Sequence, residues 1–374
     1  ALLVGLVIFG PSLQGRFTLD DHPVIESRLE IFKLRNFPSL FFSSWHPAGE
    51  WAGNYRPLTL LSFALNGIIS QKTLGFHLVN IFLHALNAVL IFSLTKRFSS
   101  RRTAFVTYLI FLVLPIHTEA VASIVGRVYL LGVFFSLLSL HYFFEKKYLT
   151  SSVLFLAALL SGDYFISLVL VLGPLLWREA KNFWKVIYRG WSYAVGLAVY
   201  FLCRYIALGA QYVFGGEGYV DPVIGPLAYV DTKERIFTAF AHLYLYLRKT
   251  IVPIDLSPDY SFNQIPVVSS FAAWRSWIGI IVLGAIIILV WRKKSSPLIK
   301  VAGVLFLAAY VLMSNLLVAT TGTMAERWWY WPSVGLVILA GSGFNWLMSV
   351  FQRQRQWIVV GGFLVLLWYG WLVF

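Results

Sequence analysis

Apolar runs of roughly 15 to 24 residues recur from one end of this chain to the other, and a helix needs about 20 such residues to cross the hydrocarbon of a bilayer. In that medium every backbone N–H and C=O must be satisfied internally, so runs of this length are read as helices and not as a barrel. The composition agrees: 59% of the 374 residues are hydrophobic, 12% are charged and the mean hydropathy is +0.75, too apolar for a soluble domain. The fold class expected is an all-α polytopic membrane protein. Spans are expected near residues 1–14, 75–95, 103–116, 120–144, 151–162, 164–177, 186–208, 273–291, 298–317, 330–350 and 357–374, about eleven helices. The first run is short for a span and does not begin with methionine, so part of the first helix is expected to be missing. The single cysteine, Cys203, precludes an intrachain disulfide and reads as a packed apolar thiol.

Charge orients the bundle. The short loops on one side ("KRFSSRR", "EKK", "REAKNFWKVIYR", "RKK" with Lys300, and "RQR") hold 16 of the 30 lysines and arginines but only Glu145 and Glu179 of the 16 acids, so the whole net charge of +14 sits there. That bias places this side in the cytoplasm. The basic balance therefore reports topology, and no soluble module or base-reading motif supports a nucleic-acid partner. Two longer loops then face outward, about residues 16–74 and 209–272. Each carries an amphipathic piece, "LLSFALNGII" and "RIFTAFAHLYLYLRKTI", expected to lie along the membrane interface. The chain reads as a single transmembrane domain over 1–374, without solenoid repeats. The localisation expected is a bacterial inner membrane, or the endoplasmic reticulum in a eukaryote, with the active loops periplasmic or luminal.

By this topology no acid falls at mid-span, where a proton-coupled transporter needs its relay. Carboxylates crowd the outer loops instead, which points to chemistry on a lipid-linked substrate at the membrane–water boundary. Transfer of a sugar from a polyprenyl phosphate to a hydroxyl demands one carboxylate to activate a weak nucleophile, and arginines to meet the departing phosphate. The adjacent acids of "GRFTLDDHPVIES", Asp20 and Asp21, are candidates for the base, against the plainer reading of a helix cap or Asx turn. "PIHTEAVASIVGR" sets His117, Glu119 and Arg127 at one helix junction, where Glu119 can position the acceptor or His22; the plainer reading is a helix start with Glu119 on the dipole. Arg56, Arg127, Arg204 and Arg327 are outer-face arginines, each alternatively an interfacial anchor.

His77, Asn80, His84 and Asn87 recur on one face of the second span, a stripe that reads as interhelical hydrogen bonding. Zinc is improbable there because no acid or thiol completes a shell. "GGEGYVDP" reads as a mobile loop and lacks the strand–loop–helix setting of a phosphate cradle.

Six blocks in order, "FTLDDHPVI", "NYRPLTLLSFALN", "GFHLVNIFLHALNAVLIF", "PIHTEAVASIVGR", "LSPDYSFNQIPVV" and "MAERWWYWPSVG", resemble the membrane half of the transmembrane O-mannosyltransferases that target cadherins, and their bacterial relatives with tetratricopeptide repeats. The resemblance implies a GT-C glycosyltransferase fold, a polyprenyl-phosphate sugar donor, usually mannose, and inverting transfer to a serine or threonine hydroxyl. It makes Asp20 the usual candidate base of the acidic pair, and maps the family's "HTEAV" and "AER" blocks onto His117, Glu119, Glu326 and Arg327. The catalytic set expected is thus Asp20, Asp21 and Glu119, with His22, Arg56, His117, Arg127, Glu326 and Arg327 binding substrate. Two departures stand out: Val128 and Tyr129 follow the "GR" where the family commonly has a small residue and an acid, and Gly162 and Asp163 stand where it commonly has lysine-glutamate. The repeats that would follow the last span are also missing.

The partners expected are the donor lipid and an acceptor protein. No cofactor is firmly implied, although a divalent cation, magnesium or manganese, could join the acidic pair. The alternative prompted by the departures is an inactive GT-C-like accessory subunit of a membrane complex; a lipid carrier or transporter ranks last.

Overall fold

The computed structural model describes residues 1–46, 53–213, 222–260, 263–317, 319–320 and 322–373; of the loop 215–222, only Pro222 is among them. Helices make up most of the described residues, with no strand among them. Six are long and apolar enough to cross a membrane: Thr73–Phe98, Arg127–Phe144, Phe183–Leu208, Trp274–Trp291, Glu326–Val350 and Gln352–Val373. A bent pair, Arg101–Val113 and Pro115–Ala122, makes up to a seventh. The remaining expected spans contain shorter helices, among them Tyr148–Ser161, Val169–Ala180 and Pro297–Met313. Both amphipathic loop segments are helical, over Pro57–Ile69 and Thr232–Ile251.

Local chemistry starts and stops these helices. Ser100, Asn182, Asp231 and Ser296 each accept a hydrogen bond from a first-turn N–H, relieving donors that have no partner within the helix. Pro115 ends the helix before it: proline lacks the N–H and pushes the preceding residue out of the helical region. Leu114 is accordingly extended, and the chain turns by 54°.

The chain divides into two compact units, Ala1–Gly10 with His84–Ala120 and Val220–Phe374, and Pro11–Leu83 with Val121–Tyr219. In the second, Arg127–Phe144 packs on Tyr148–Ser161, which also packs on Phe183–Leu208. Ser139 and Ser151 exchange hydroxyl-to-carbonyl bonds of 2.8 and 2.7 Å, and Tyr193 donates to Ser151 Oγ at 2.7 Å. Polar contacts of this kind hold apolar helices together where lipid is as greasy as leucine and the hydrophobic effect gives no preference.

The first unit uses backbone proximity instead. Pro297–Met313 lies against Tyr330–Val350, where a Cβ on Gly335 would come within 2.4 Å of Ala302 O. Thr232–Ile251 lies against Trp274–Trp291, where a Cβ on Gly279 would meet Phe240 O at 2.1 Å. Close approach of this sort is open only to glycine. Gly279→Ala is expected to destabilise the protein by about 1–3 kcal/mol through overpacking, whereas Gly284→Ala, with nothing within 4 Å of the new atom, should be neutral. Thermal unfolding of both variants in detergent checks this.

Candidate functional site

One break in a helix organises the second unit. A continuous helix is expected over 120–144, but the structure interrupts it: one helix ends at Ala122 and the next begins at Arg127. Side chains take over the backbone groups that the break releases. Asn80 Nδ2 donates to Ser123 O at 2.8 Å and lies 3.3 Å from the carbonyl oxygens of Val121 and Ile124. Asp21 Oδ1 accepts the Val125 N–H at 2.9 Å. The competing partners sit about 40 and 100 positions upstream, so periodicity along 120–144 carries no sign of them.

Arg127 locks this arrangement. Its side chain is fully buried; Nε donates to Asn80 Oδ1 at 2.8 Å, and Nη2 to Phe76 O at 2.8 Å and Asn66 Oδ1 at 3.1 Å. Nη1 donates to Ser62 O at 3.3 Å, and the guanidinium lies over the rings of Phe63 and Phe76, 4.7 and 5.5 Å from their centroids. The donors proposed from sequence for a substrate phosphate are thus turned onto protein acceptors. Three of the six sequence blocks, carrying Ser62 and Asn66, Phe76 and Asn80, and Arg127, meet at this one side chain, and Asp21 of a fourth holds the break beside it. Asn66 and Asn80, polar residues in otherwise apolar helices, were the only sequence signal.

The acidic pair divides. Asp21 is buried, and its Oδ2 accepts the Thr18 N–H at 3.0 Å. Burial raises its carboxyl above the usual range, outweighing the N–H groups of Thr18 and Val125 that favour the charged form. Asp20 instead is exposed, following Leu19, whose backbone is left-handed (φ 46°). That conformation is uncommon for a leucine, and the Thr18–Asp21 cap spans it. His22 pairs with Glu26 on the exposed side of a short π-helical turn.

Arg56 lies in the same unit, half-buried, its guanidinium over Trp45 and Tyr164 at 5.1 and 5.7 Å. Nη2 donates to Asn54 Oδ1 at 3.1 Å, while Nε is buried with no hydrogen-bond partner among the described residues. Asp163 and Asp20 both lie within its electrostatic reach. Asp163, noted in the sequence as a departure, pairs with Arg204 at 3.3 Å. Arg204 also donates to Gly53 O and Tyr212 O, both at 2.8 Å, so this arginine is a buried strut.

In the other unit, Glu119 Oε2 accepts the Arg327 N–H at 2.7 Å and its second oxygen pairs with the Arg327 guanidinium, which remains about one-third exposed (33%). Glu326 points elsewhere: it is buried, accepts the Tyr260 hydroxyl and the Ser257 N–H (2.9 Å), and lies 4.0 Å from Lys249 Nζ. His117 is buried between Phe111 O (3.1 Å) and Ser333 Oγ (2.8 Å). His84 and Asn87 of the polar stripe meet the Tyr330 hydroxyl at 2.9 and 3.2 Å, the interhelical bonding expected of them. The sequence reading had not singled out Lys249, Tyr260 or Tyr330.

A divalent cation needs about six oxygen ligands. Among the described residues no three histidine, cysteine, aspartate or glutamate side chains group to offer them, and Asp21 has both oxygens engaged by N–H groups. The acidic pair therefore does not fit a cation cage.

This all-α, multi-pass arrangement is a GT-C fold: it superposes on ArnT from Cupriavidus metallidurans, solved bound to undecaprenyl phosphate, with a TM-score of 0.61, covering 96% of this chain and 61% of that one at 15% identity. No protein-family model matches the chain. In sequence it resembles the membrane part of the transmembrane protein O-mannosyl-transferases. It is 26% identical over 367 residues to protein O-mannosyl-transferase F38B6.6 of Caenorhabditis elegans, covering 91% of this chain and 50% of that protein. Human protein O-mannosyl-transferase TMTC3 is 26% identical over 401 residues (96% of this chain, 44% of that one), and human TMTC1 is 40% identical over 137 (34% and 16%). The chain thus spans about half the length of the curated relatives it matches.

Two outcomes are expected. Arg127→Ala leaves three buried acceptors without their donor, at about 1–3 kcal/mol each, and should abolish recovery of folded protein, read by size-exclusion of detergent extracts. For Asp21 the folded protein holds a proton more tightly than the unfolded chain, so its contribution to stability is complete below about pH 4, the unfolded carboxyl value. It is lost as pH rises through the raised folded value. The unfolding midpoint of wild type should decline over that window, and Asp21→Asn should flatten the decline.

Proposed function

We propose that this chain is the membrane portion of a polyprenyl-phosphate-sugar-dependent O-glycosyltransferase, transferring mannose to a serine or threonine hydroxyl of an acceptor protein on the outer side of its membrane. The observation that carries the reading is the split of the acidic pair. Asp21 is fixed in the protein, while Asp20 beside it stays exposed, a carboxylate on a buried anchor. The names of the relatives and the polyprenyl phosphate of ArnT support the same reading.

In the reaction the acceptor hydroxyl passes its proton to Asp20 as its oxygen bonds the anomeric carbon. The bond from that carbon to the phosphate oxygen breaks, the electron pair leaves with the lipid phosphate, and attack opposite the leaving group inverts the centre. Arg56 is proposed to meet the phosphate, because its Nε is a charged donor without a partner among the described residues and its planar fork suits phosphate oxygens. Glu119 is assigned to orienting Arg327 within its own unit, and His22 to the rim near Asp20. Glu326, His117 and Arg127 hold the scaffold rather than touch substrate. No step is routed through a metal.

The alternative of an inactive accessory subunit rests on Val128 and Tyr129, both of which are buried. Purified protein incubated with radiolabelled polyprenyl-phosphate mannose and a serine/threonine-rich acceptor separates the two. Asp20→Asn should reduce transfer by about 10²–10⁴-fold, the usual scale for a general base, without moving the unfolding midpoint. Undiminished transfer in that variant overturns the assignment of the base, and no transfer or donor binding by wild type favours the accessory subunit.

A further inference from the structure

The helix Arg355–Val373 stands apart in the first unit. The last span is only 6% buried over its apolar stretch, against 67% for Arg127–Phe144, and Tyr369 is its one buried residue. Between it and the helices Arg101–Val113 and Tyr330–Val350 runs a groove of about 660 Å³. Phe105, Leu109, Phe344, Val359 and Phe363 supply its walls, and no acidic residue lines it.

Polarity is confined to its two ends, and the ends differ. At one, Thr250 and Tyr369 are used up within the protein: the Tyr369 hydroxyl lies 2.9 Å from both Thr250 O and Ile251 O, and Thr250 Oγ1 donates to Tyr246 O at 2.7 Å. At the other, Arg102 and Arg355 line the groove, are exposed, and have no ion pair or hydrogen-bond partner among the described side chains. From Arg102 to Leu114 the wall rises about 18 Å at ~1.5 Å per residue, close to the ~15 Å of hydrocarbon in one leaflet.

We infer that this groove is a binding site for an anionic membrane phospholipid, its phosphate held by Arg102 and Arg355 and one acyl chain laid along the groove toward Tyr369. Charge decides the occupant. A purely apolar partner helix would leave two unpaired guanidinium groups facing it, whereas a phosphodiester headgroup supplies two charged non-bridging oxygens that a guanidinium fork can meet. The length of the groove fits a single acyl chain, and the polar groups at the far end are already bonded within the protein, which leaves the headgroup to the arginines. None of the residues assigned to transfer lines the groove, and the inference is independent of that reading.

Full-length protein in detergent, titrated with dioleoyl phosphatidylglycerol or dioleoyl phosphatidylcholine and read by native mass spectrometry, tests it with the acyl chains held constant. Wild type should retain phosphatidylglycerol preferentially. Arg102→Ala with Arg355→Ala should lose about thirtyfold in phosphatidylglycerol retention, the scale expected for two arginines at an anionic surface, and lose far less for the zwitterionic phosphatidylcholine. Ala340→Phe, which fills the groove from an exposed position, should reduce retention of both lipids. Lys293→Ala with Lys294→Ala, in another exposed basic cluster, should change neither. Equal retention of the two lipids by wild type, or an equal loss in the lysine variant, would overturn the site in favour of diffuse attraction to the basic face. Retention of neither lipid, with a protein partner co-purifying through Arg102 and Arg355, would overturn it in favour of a docking face.

Discussion

Where packing excludes water, a broken helix must find protein partners for the backbone groups it releases. The interval between Ala122 and Arg127 meets that requirement through side chains from far upstream. Asn80 takes carbonyls, Asp21 takes an N–H, and Arg127 fixes the Asn80 amide from the other side. The placement of the first loop follows from this. Asp21 ties it to the break, so Asp20 is presented from a fixed turn rather than from a free segment.

The same constraint explains why two of the four arginines suggested by the sequence, Arg127 and Arg204, are not free to act. A buried guanidinium with five donors is stable only when acceptors surround it. Arg127 and Arg204 are surrounded in this way and become struts. Arg56 has aromatic faces on it and an Nε without a hydrogen-bond partner among the described residues, and Arg327 is held by Glu119. What distinguishes strut from ligand is the number of acceptors already in place, a property of three-dimensional packing.

Much of the architecture was legible. Run lengths gave the helical class and the rough location of many helices, although six or up to seven of the described helices, not eleven, are long and apolar enough to cross a membrane, and Pro115 marked its bend. The six ordered blocks pointed to the glycosyltransferase likeness, and the polar stripe was read correctly as bonding between helices. The site was legible only as a set of residue types. Asp20 and Asp21 are indistinguishable as neighbours in a loop, and their different fates depend on Thr18 and Val125. Glu119 with Arg327, and Glu326 with Tyr260 and Lys249, join segments of chain separated by tens to hundreds of residues. Adjacent letters of "AER" therefore point into different surroundings.

The sequence by itself determined that this chain is a membrane-embedded helical bundle with its charge excess in short loops, because hydrophobic length and charge placement are linear properties that a bilayer reads directly. Tertiary structure alone decided where the helix after Pro115 breaks, which acid of the pair stays exposed and which arginines are consumed. Those outcomes depend on hydrogen-bond partners brought together by folding, and no local pattern encodes them.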